Sequence, residues 1–447
     1  MRTLDVVLLI LYAVICVAIG IWSSRRRNSD EYLIAGRHLR IVPFIASVIA
    51  SYVGGAAIVL YSAYVYQFGI SAIAVFVGTA AGFIAFIPYA VKLRRLSAEE
   101  KFLTLPDWLY FNFGRRTGMT AAIILGVVYF GMLLNQFIAG SSILSHISGI
   151  KYETALMISA SVITIYLLLG GFSSVVKTDV FQYLVLFVLF VLLGAILVRG
   201  DTAFKGEITD LSRMNPVMTV VFIIFGVLII FQSAEYWQRV YAAKSLTVVR
   251  RGFVWSAILV VITGLVISVV GLSAHLHVPG IEPSSAFAEG LTILVPHNYI
   301  GAGLILLFAA IMSSADTIIF VLASSMAKDI VGRVSDKAAD DLLVTRYTRL
   351  FILLFAVAGF GSAWFFRDLI TVIVFITGIG FTVIPVALAA FHFKIRPVAA
   401  FASLIAGVIY ILLLIIAGKL IPELSIASFA VSLVTLIIFQ SVNRKKI

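Results

Sequence analysis

The stretch Ala310-Ile311-Met312-Ser313-Ser314-Ala315-Asp316-Thr317 lies near the start of an apolar run from about Ile300 to about Ala327. A helix turns about 100° per residue, so Ala310, Ser313, Ser314 and Thr317 share one face, with Asp316 at its edge. Hydroxyls beside a carboxylate, deep in apolar sequence, suit a small hard cation. Such an ion prefers oxygen ligands, and hydroxyls with helix carbonyls replace its water shell with little fixed charge. The same residues have a plainer use: serine hydroxyls bond back to the carbonyl one turn earlier, and Asp316 pairs with a neighbouring helix. The stretch alone leaves both readings open.

The run belongs to a chain of 447 residues that is 62% hydrophobic and only 12% charged, with a mean hydropathy of +1.12. That balance is far from a soluble domain and defines an all-α polytopic membrane protein. Apolar runs of about 20 residues predict about thirteen helices: 4-24, 41-66, 70-93, 117-147, 153-170, 178-199, 216-235, 250-274, 296-327, 346-365, 368-392, 397-417 and 423-441. The runs do not alternate apolar and polar residues, which excludes a β-barrel. The first run follows only Arg2, lacks a small-residue cleavage site and ends at Arg25-Arg26-Arg27, so it reads as a helix rather than a cleaved signal. With Cys16 as the one cysteine, no disulfide forms within the chain and no cysteine-based metal or redox site exists. No long linker or appended soluble domain is evident, so the chain reads as one transmembrane domain.

Most basic residues fall in alternate loops. With the N-terminus outside, the cytoplasmic segments hold Arg25 to Arg27, Arg37 and Arg40, then Lys92 to Arg116, Lys177, Arg239 to Arg251, Lys328 to Arg349, Lys394, Arg396, and Arg444 to Lys446. The bias predicts an outside N-terminus and a cytoplasmic C-terminus; the expected setting is a bacterial cell (inner) membrane. Basic loops facing anionic lipid account for the net charge of +12, so no nucleic acid partner is implied. No obligate protein partner is evident either.

Several interruptions stand out along the chain. Ala50-Ser51-Tyr52-Val53-Gly54-Gly55 places paired glycines mid-span. Glycines there weaken a helix and expose carbonyls, which a membrane tolerates only where backbone lines a protein cavity; Ala50 and Val53 then become carbonyl donors. A close helix crossing through small residues is the other reading. Leu105-Pro106-Asp107-Trp108, in a cytoplasmic loop from Leu93 to Gly118, predicts an interfacial turn with Trp108 and Tyr110 at headgroup level. Asn135 and Gln136 either line a cavity or bond a neighbouring helix. Gly170-Gly171 allows a tight turn, after which Asp179 lies in the first turn of the next helix, as a cap or as an inward oxygen ligand. Glu235 and Arg239 are spaced to pair at i, i+4. His275, His277 and His297 lack partners at metal spacing.

Spans two to six and seven to eleven form two blocks of five. Five is odd, so the second block enters the membrane from the opposite side, as in an inverted repeat. The blocks cover 41-199 and 216-392, with one extra helix before them (4-24) and two after (397-441).

Four spaced motifs carry a resemblance. Glu31-Tyr32-Leu33-Ile34-Ala35-Gly36-Arg37, Gly170-Gly171 through Thr178-Asp179-Val180-Phe181-Gln182, Gln238-Arg239-Val240-Tyr241-Ala242-Ala243-Lys244 and Met312-Ser313-Ser314-Ala315-Asp316 occur in order at the expected helices. In these the chain resembles the sodium:solute symporter family, which includes sodium-coupled sugar, proline, pantothenate and sialic acid carriers. The resemblance implies a five-plus-five inverted repeat of the leucine transporter-like fold, with Na+ as coupling ion. It carries a sodium site onto the carbonyls of Ala50, Val53 and Ala310 and the hydroxyls of Ser313 and Ser314. A second sodium site, known in some members, maps onto Asp179, Asp316 and Thr317, with Ser313 shared. Asp316 brings a carboxylate where those members have a hydroxyl, so that position suits either a sodium ion or a proton. Ser233-Ala234 replaces the acidic-Gln pair common in the family, and Gly54 replaces a common serine.

The expected function is sodium-coupled symport by alternating access of a small organic solute (sugar, amino acid, carboxylate or vitamin-like), with Tyr52, Gln136 and Gln232 as solute contacts. Two alternatives are a proton-coupled amino acid or solute permease of the same fold, and a transport-dead nutrient receptor. A channel would need a ring-like filter motif, and an enzyme paired catalytic groups; neither is present in the sequence.

Overall fold

The computed structural model describes residues 3–24, 29–198, 209–295, 300–338, 340–365 and 369–442. Arg25, Arg26, Arg27, His297, Arg444, Lys445 and Lys446 lie outside the described residues.

α1 (Thr3–Ser24) and the short α2 (Ser29–Ile34) lead into α3 (Ile41–Tyr52), α4 (Gly55–Phe68), α5 (Ala74–Glu100), α6 (Leu105–Ser148) and α7 (Tyr152–Val198). The second half runs through α8 (Pro216–Gln232), α9 (Ala234–Ala242), α10 (Leu246–His277), α11 (Ala286–Leu294), α12 (Ile300–Ser325), α13 (Asp341–Phe365), α14 (Leu369–Phe381) and α15 (Val383–His392). It closes with α16 (Pro397–Ile416) and α17 (Pro422–Val442). Among the described residues nine helices are long and apolar enough to cross a membrane, or ten with the bent pair α8 and α9 taken as one. The sequence predicts about thirteen spans. The smaller count comes largely from runs taken together: the two helices on either side of non-helical Gly171 count once, as do α4 and α5 within Ala57–Glu100.

Each half opens with a broken helix. α3 stops because Val53 (φ −87°, ψ 53°) and Gly54 (φ −76°, ψ 162°) leave helical space. α8 stops at Ser233 (φ −74°, ψ 100°), and α9 departs at 50°. Helix ends inside a bilayer carry backbone groups without intrahelical partners, so both breaks need polar company nearby. The break in α3 also needs glycine for space. A Cβ on Gly55 would lie 1.8 Å from Ile311 Cγ1, and one on Gly54 would lie 2.3 Å from Ser314 Oγ.

α12 is the buried axis, packed against α3, α4, α6 and α7. Its apolar window within Phe308–Gly332 is 100% buried, whereas that of α17 is 22% buried and presents most of its surface outward. This explains why an apolar stretch can carry polar side chains here: they face protein, not lipid. In the middle of α7, Gly171 adopts φ 58° and ψ −147°, and a Cβ there would sit 2.6 Å from Tyr32 O. Beyond the kink Thr178 Oγ1 donates to Asp316 on α12 (3.2 Å) and Asp179 accepts from Ser47 on α3 (2.5 Å).

The region before α6 corrects the interfacial reading. α6 starts at Leu105, with Thr104 and Asp107 forming a reciprocal capping box. Trp108 is 1% and Tyr110 7% exposed, so neither ring is an open anchor facing lipid. Trp108 Nε1 donates to Ala387 O (3.0 Å) and Tyr110 OH to Asp329 O (2.6 Å). The rings are enclosed because α6 begins beneath α15 and the end of α12, where Asp107 also accepts from Lys328 Nζ (2.7 Å) and Arg333 Nη2 (3.1 Å). Two of the resemblance motifs meet at the same end of the molecule. Leu39 N donates to Ala242 O (3.0 Å), and Lys244 N donates to Leu39 O (2.9 Å). Arg37 Nη2 donates to Phe102 O (3.0 Å), and burial lowers the pKa of this guanidinium.

Candidate ion and solute sites

The last carbonyls of α3 have no partner within their own helix, because the chain turns away at Val53. Ser313 and Ser314, adjacent on α12, supply one. Ser313 Oγ donates to Ala50 O (3.0 Å) and to Ala310 O (2.8 Å), and Ser314 Oγ to Ala50 O (3.3 Å) and Ser51 O (3.2 Å). Ala50, Ala310 and Ser313 are 0% exposed and Ser314 1%. The four oxygens predicted from Ala50, Ala310, Ser313 and Ser314 therefore converge. Val53, 1% exposed, sits at the break itself, its N–H spent on Ile49 O (2.9 Å). This is an all-oxygen, formally neutral set in an apolar surround, the kind that binds a desolvated monovalent cation.

The residues of the expected second site divide between two clusters. Asp179 and Thr317 belong to one centred on the guanidinium of Arg239, which is 0% exposed. Arg239 Nε donates to Ser47 Oγ (2.7 Å); Nη2 donates to Ser51 Oγ (2.6 Å), Thr317 Oγ1 (3.0 Å) and Asp179 Oδ2 (3.3 Å). Ser47 Oγ donates in turn to Asp179 Oδ2 (2.5 Å). Asp316 belongs to the other cluster, where Tyr166 OH (2.6 Å) and Thr178 Oγ1 (3.2 Å) donate to its Oδ2. Asp316 Oδ1 and Asp179 Oδ1 are buried without a hydrogen-bond partner.

The i, i+4 pairing of Glu235 with Arg239 does not form. Arg239 Nη1 donates to the Glu235 backbone carbonyl (3.1 Å), while the Glu235 carboxylate accepts from Tyr129 OH. The guanidinium instead crosses to α3, α7 and α12, because an unpaired Asp179 fully buried there would be far costlier than an unpaired Glu235 beside a cavity. Sequence reasoning missed Arg239, Ser47 and Ser51 as a cluster. The one local signal was the i, i+4 spacing of Ser47 and Ser51 on α3, which puts both hydroxyls on one face.

Next to these clusters lies a cavity of about 240 Å³. Its wall includes Ser51 and Tyr52 at the α3 break, Ser314 and Thr317 on α12, Gln136 and Asn135 on α6, and Ser233, Glu235 and Tyr236 at the α8–α9 break. Both breaks and, of the ion-type residues, Ser314 thus border one space. Of the three predicted solute contacts, Tyr52 and Gln136 line it. Gln232 does not: it faces Gly380, whose added Cβ would lie 2.1 Å from Gln232 Nε2.

Two broken helices meeting at one cavity, with cation-type oxygens at one break, follow the plan of a secondary transporter. The sequence profile of the sodium:solute symporter family matches residues 32–407, and the chain belongs to that family. The sodium/proline symporter of Staphylococcus aureus (strain Newman) is 25% identical over 444 residues, covering 91% of this chain and 85% of that protein. The high-affinity proline transporter PutP of Bacillus subtilis (strain 168) is 24% identical over 366 residues, with 76% of each chain covered. In fold, a Na+-coupled sialic acid symporter in a substrate-bound outward-open state matches with a TM-score of 0.84 at 17% identity, over 99% of this chain and 97% of its own. MhsT in complex with L-phenylalanine matches with a TM-score of 0.56 at 15% identity, over 90% and 98%. The chain is an integral membrane protein with the leucine transporter-like fold, and its function is sodium-coupled symport of a small solute.

Proposed function

We propose that one sodium ion per cycle binds between α3 and α12, on the carbonyls of Ala50, Val53 and Ala310 and the hydroxyls of Ser313 and Ser314, and that the solute binds in the adjoining cavity against Tyr52 and Gln136. The observation that carries this reading is the pair of contacts from Ser313 and Ser314 to Ala50 O across the two helices, at 3.0 and 3.3 Å. A sodium ion there displaces those hydroxyl protons from the carbonyl and turns the hydroxyl lone pairs to itself. Ser314 lines the cavity as well as the ion position, so the two ligands share a wall. Ion occupancy that orders the α3 break raises solute affinity, and linkage demands the reverse by the same factor.

The position expected for a second cation is held by Arg239. Its guanidinium already neutralises Asp179 and uses Thr317, which supports a stoichiometry of one sodium. One ion moving down about 100 mV yields roughly 2.3 kcal/mol, and a tenfold gradient adds about 1.4, enough to accumulate a neutral solute several hundredfold. Since the curated relatives are proline symporters, a small amino acid is the first solute to test. The proposed setting is a bacterial cell membrane, with the N-terminus outside and the C-terminus cytoplasmic.

The test is thermal stabilisation of the purified protein by candidate solutes, with and without sodium. A true substrate stabilises more in sodium, and Ser313→Ala with Ser314→Ala removes that difference; equal sodium stabilisation of wild type and double mutant assigns the ion elsewhere. Asp316 Oδ1, buried without a hydrogen-bond partner, favours a second reading, in which this carboxylate carries a proton. That reading requires uptake driven by a pH gradient without sodium and lost in Asp316→Asn.

A further inference from the structure

We propose that the transported solute carries an ammonium group, as a protonated or quaternary amine, on an apolar body, and that Glu235 is its counter-ion. The inference rests on the cavity being the solute site, and it narrows the solute by chemistry.

The charge content of the cavity wall is lopsided. Among its described lining residues Glu235 is the one acidic side chain, and no Lys, Arg or His is present. Arg239, one turn away, is committed to Ser47, Ser51, Thr317 and Asp179, and reaches Glu235 only at its backbone carbonyl. The Glu235 carboxylate accepts from Tyr129 OH, and among the described residues no Lys or Arg nitrogen forms an ion pair with it. A carboxylate 7% exposed beside an apolar cavity thus has hydrogen-bond donors but no directly paired cation to offset its burial. A solute ammonium supplies that cation, and supplies it only when the solute is bound.

The remaining wall agrees. Tyr52, Tyr61, Tyr64, Phe76, Phe222 and Tyr236 give it an aromatic lining. Tyr52 OH is engaged with Thr79 Oγ1 (2.6 Å) and Tyr61 OH with Ser268 Oγ (2.6 Å), so these two offer rings rather than hydroxyls. Aromatic faces attract desolvated ammonium groups and accept an apolar body. Asn135 is 2% exposed, lines the cavity, and has neither its amide nitrogen nor its oxygen hydrogen-bonded. A buried amide left with both groups open is a ready partner for an N–H or for a second polar group of the solute. An anionic solute without an ammonium would meet Glu235 with like charge and find no cationic side chain in the wall.

The test uses matched probes on the purified full-length protein: phenethylamine, L-phenylalanine and 3-phenylpropanoate; pyrrolidine, L-proline and cyclopentanecarboxylate; choline and its uncharged isostere 3,3-dimethylbutan-1-ol. Binding is read as thermal stabilisation in sodium, then as competition for the tightest probe. The expected result is that at least one ammonium probe stabilises the protein while its ammonium-free counterpart does so at least tenfold more weakly. Glu235→Gln should weaken that probe at least tenfold, and Glu235→Asp should restore part of the loss. Comparing amine with amino acid within a set tells whether the solute is an amine alone or also carries a carboxylate. Ammonium-free probes binding as well as their partners, no ammonium probe binding, or Glu235→Gln binding unchanged would each overturn the proposal. Stabilisation by sodium alone is the separate readout: its absence in wild type defeats the assigned ion site, whereas its presence without ammonium selectivity defeats the solute assignment only.

Discussion

Ser313 and Ser314 each make two hydrogen bonds to carbonyls, yet the two residues should respond differently to substitution. Ser313 ties Ala50 to its own helix at Ala310, whereas Ser314 reaches across to Ala50 and Ser51 and also borders the solute cavity. In vesicle uptake, either alanine variant should raise the half-saturating sodium concentration tenfold or more, about 1.4 kcal/mol. Only Ser314→Ala should also change solute affinity when sodium is saturating. Arg239 invites a test of a different kind. Replacing it with Met leaves Asp179 buried without a cation, a loss of about 3–5 kcal/mol, because breaking one side of a buried pair strands the other. Adding Asp179→Asn removes the stranded charge and should return more than half of that loss in detergent unfolding. Equal instability of the single and double variants would show that the pair is not what holds α9 against α3 and α7.

At the scale of helices, the break in α3 exists because two glycines let α12 and α6 come close. Gly55→Ala places a methyl group 1.8 Å from Ile311 Cγ1, so either α4 or α12 must shift. Overpacking of this sort costs about 1–3 kcal/mol. The consequence should be lost sodium-dependent stabilisation with the fold retained, and Ile311→Ala in the same chain should restore part of it. A Gly55→Ala protein that responds to sodium like wild type would mean that the α3 break does not set the ion site. The α3 break was legible in the sequence, since Gly54-Gly55 interrupts an otherwise apolar run, as were the long spans themselves. Oxygens contributed by neighbours on one helix, such as Ser313 and Ser314, were legible too, because helical periodicity is local. Arg239 was not: its partners Ser47, Ser51, Asp179 and Thr317 lie on three other helices, and the local rule offered Glu235 instead. Trp108 and Tyr110 misled for a related reason, since an aromatic near a basic loop looks interfacial until α15 and the end of α12 are placed over it.

The whole molecule joins these pieces into a machine that faces two solutions in turn. Both broken helices, one from each half, border the same cavity, so a rocking of one half against the other changes its wall at two places at once. For that motion to import solute, sodium must arrive from the side where its potential is higher, and the molecule must sit in the membrane in one sense. The distribution of Lys and Arg predicts the loop after α10 outside and the loop after α12 in the cytoplasm. The single cysteine, Cys16, is buried, so the native chain is a silent background for thiol labelling. Pro279 and Lys337 are both exposed in those two loops. In intact cells Pro279→Cys should react with a membrane-impermeant maleimide, and Lys337→Cys should react only after the membrane is opened. Should Lys337→Cys label first, the chain is inverted with respect to its charge, and a sodium gradient directed inward would then drive solute through the molecule in the opposite sense.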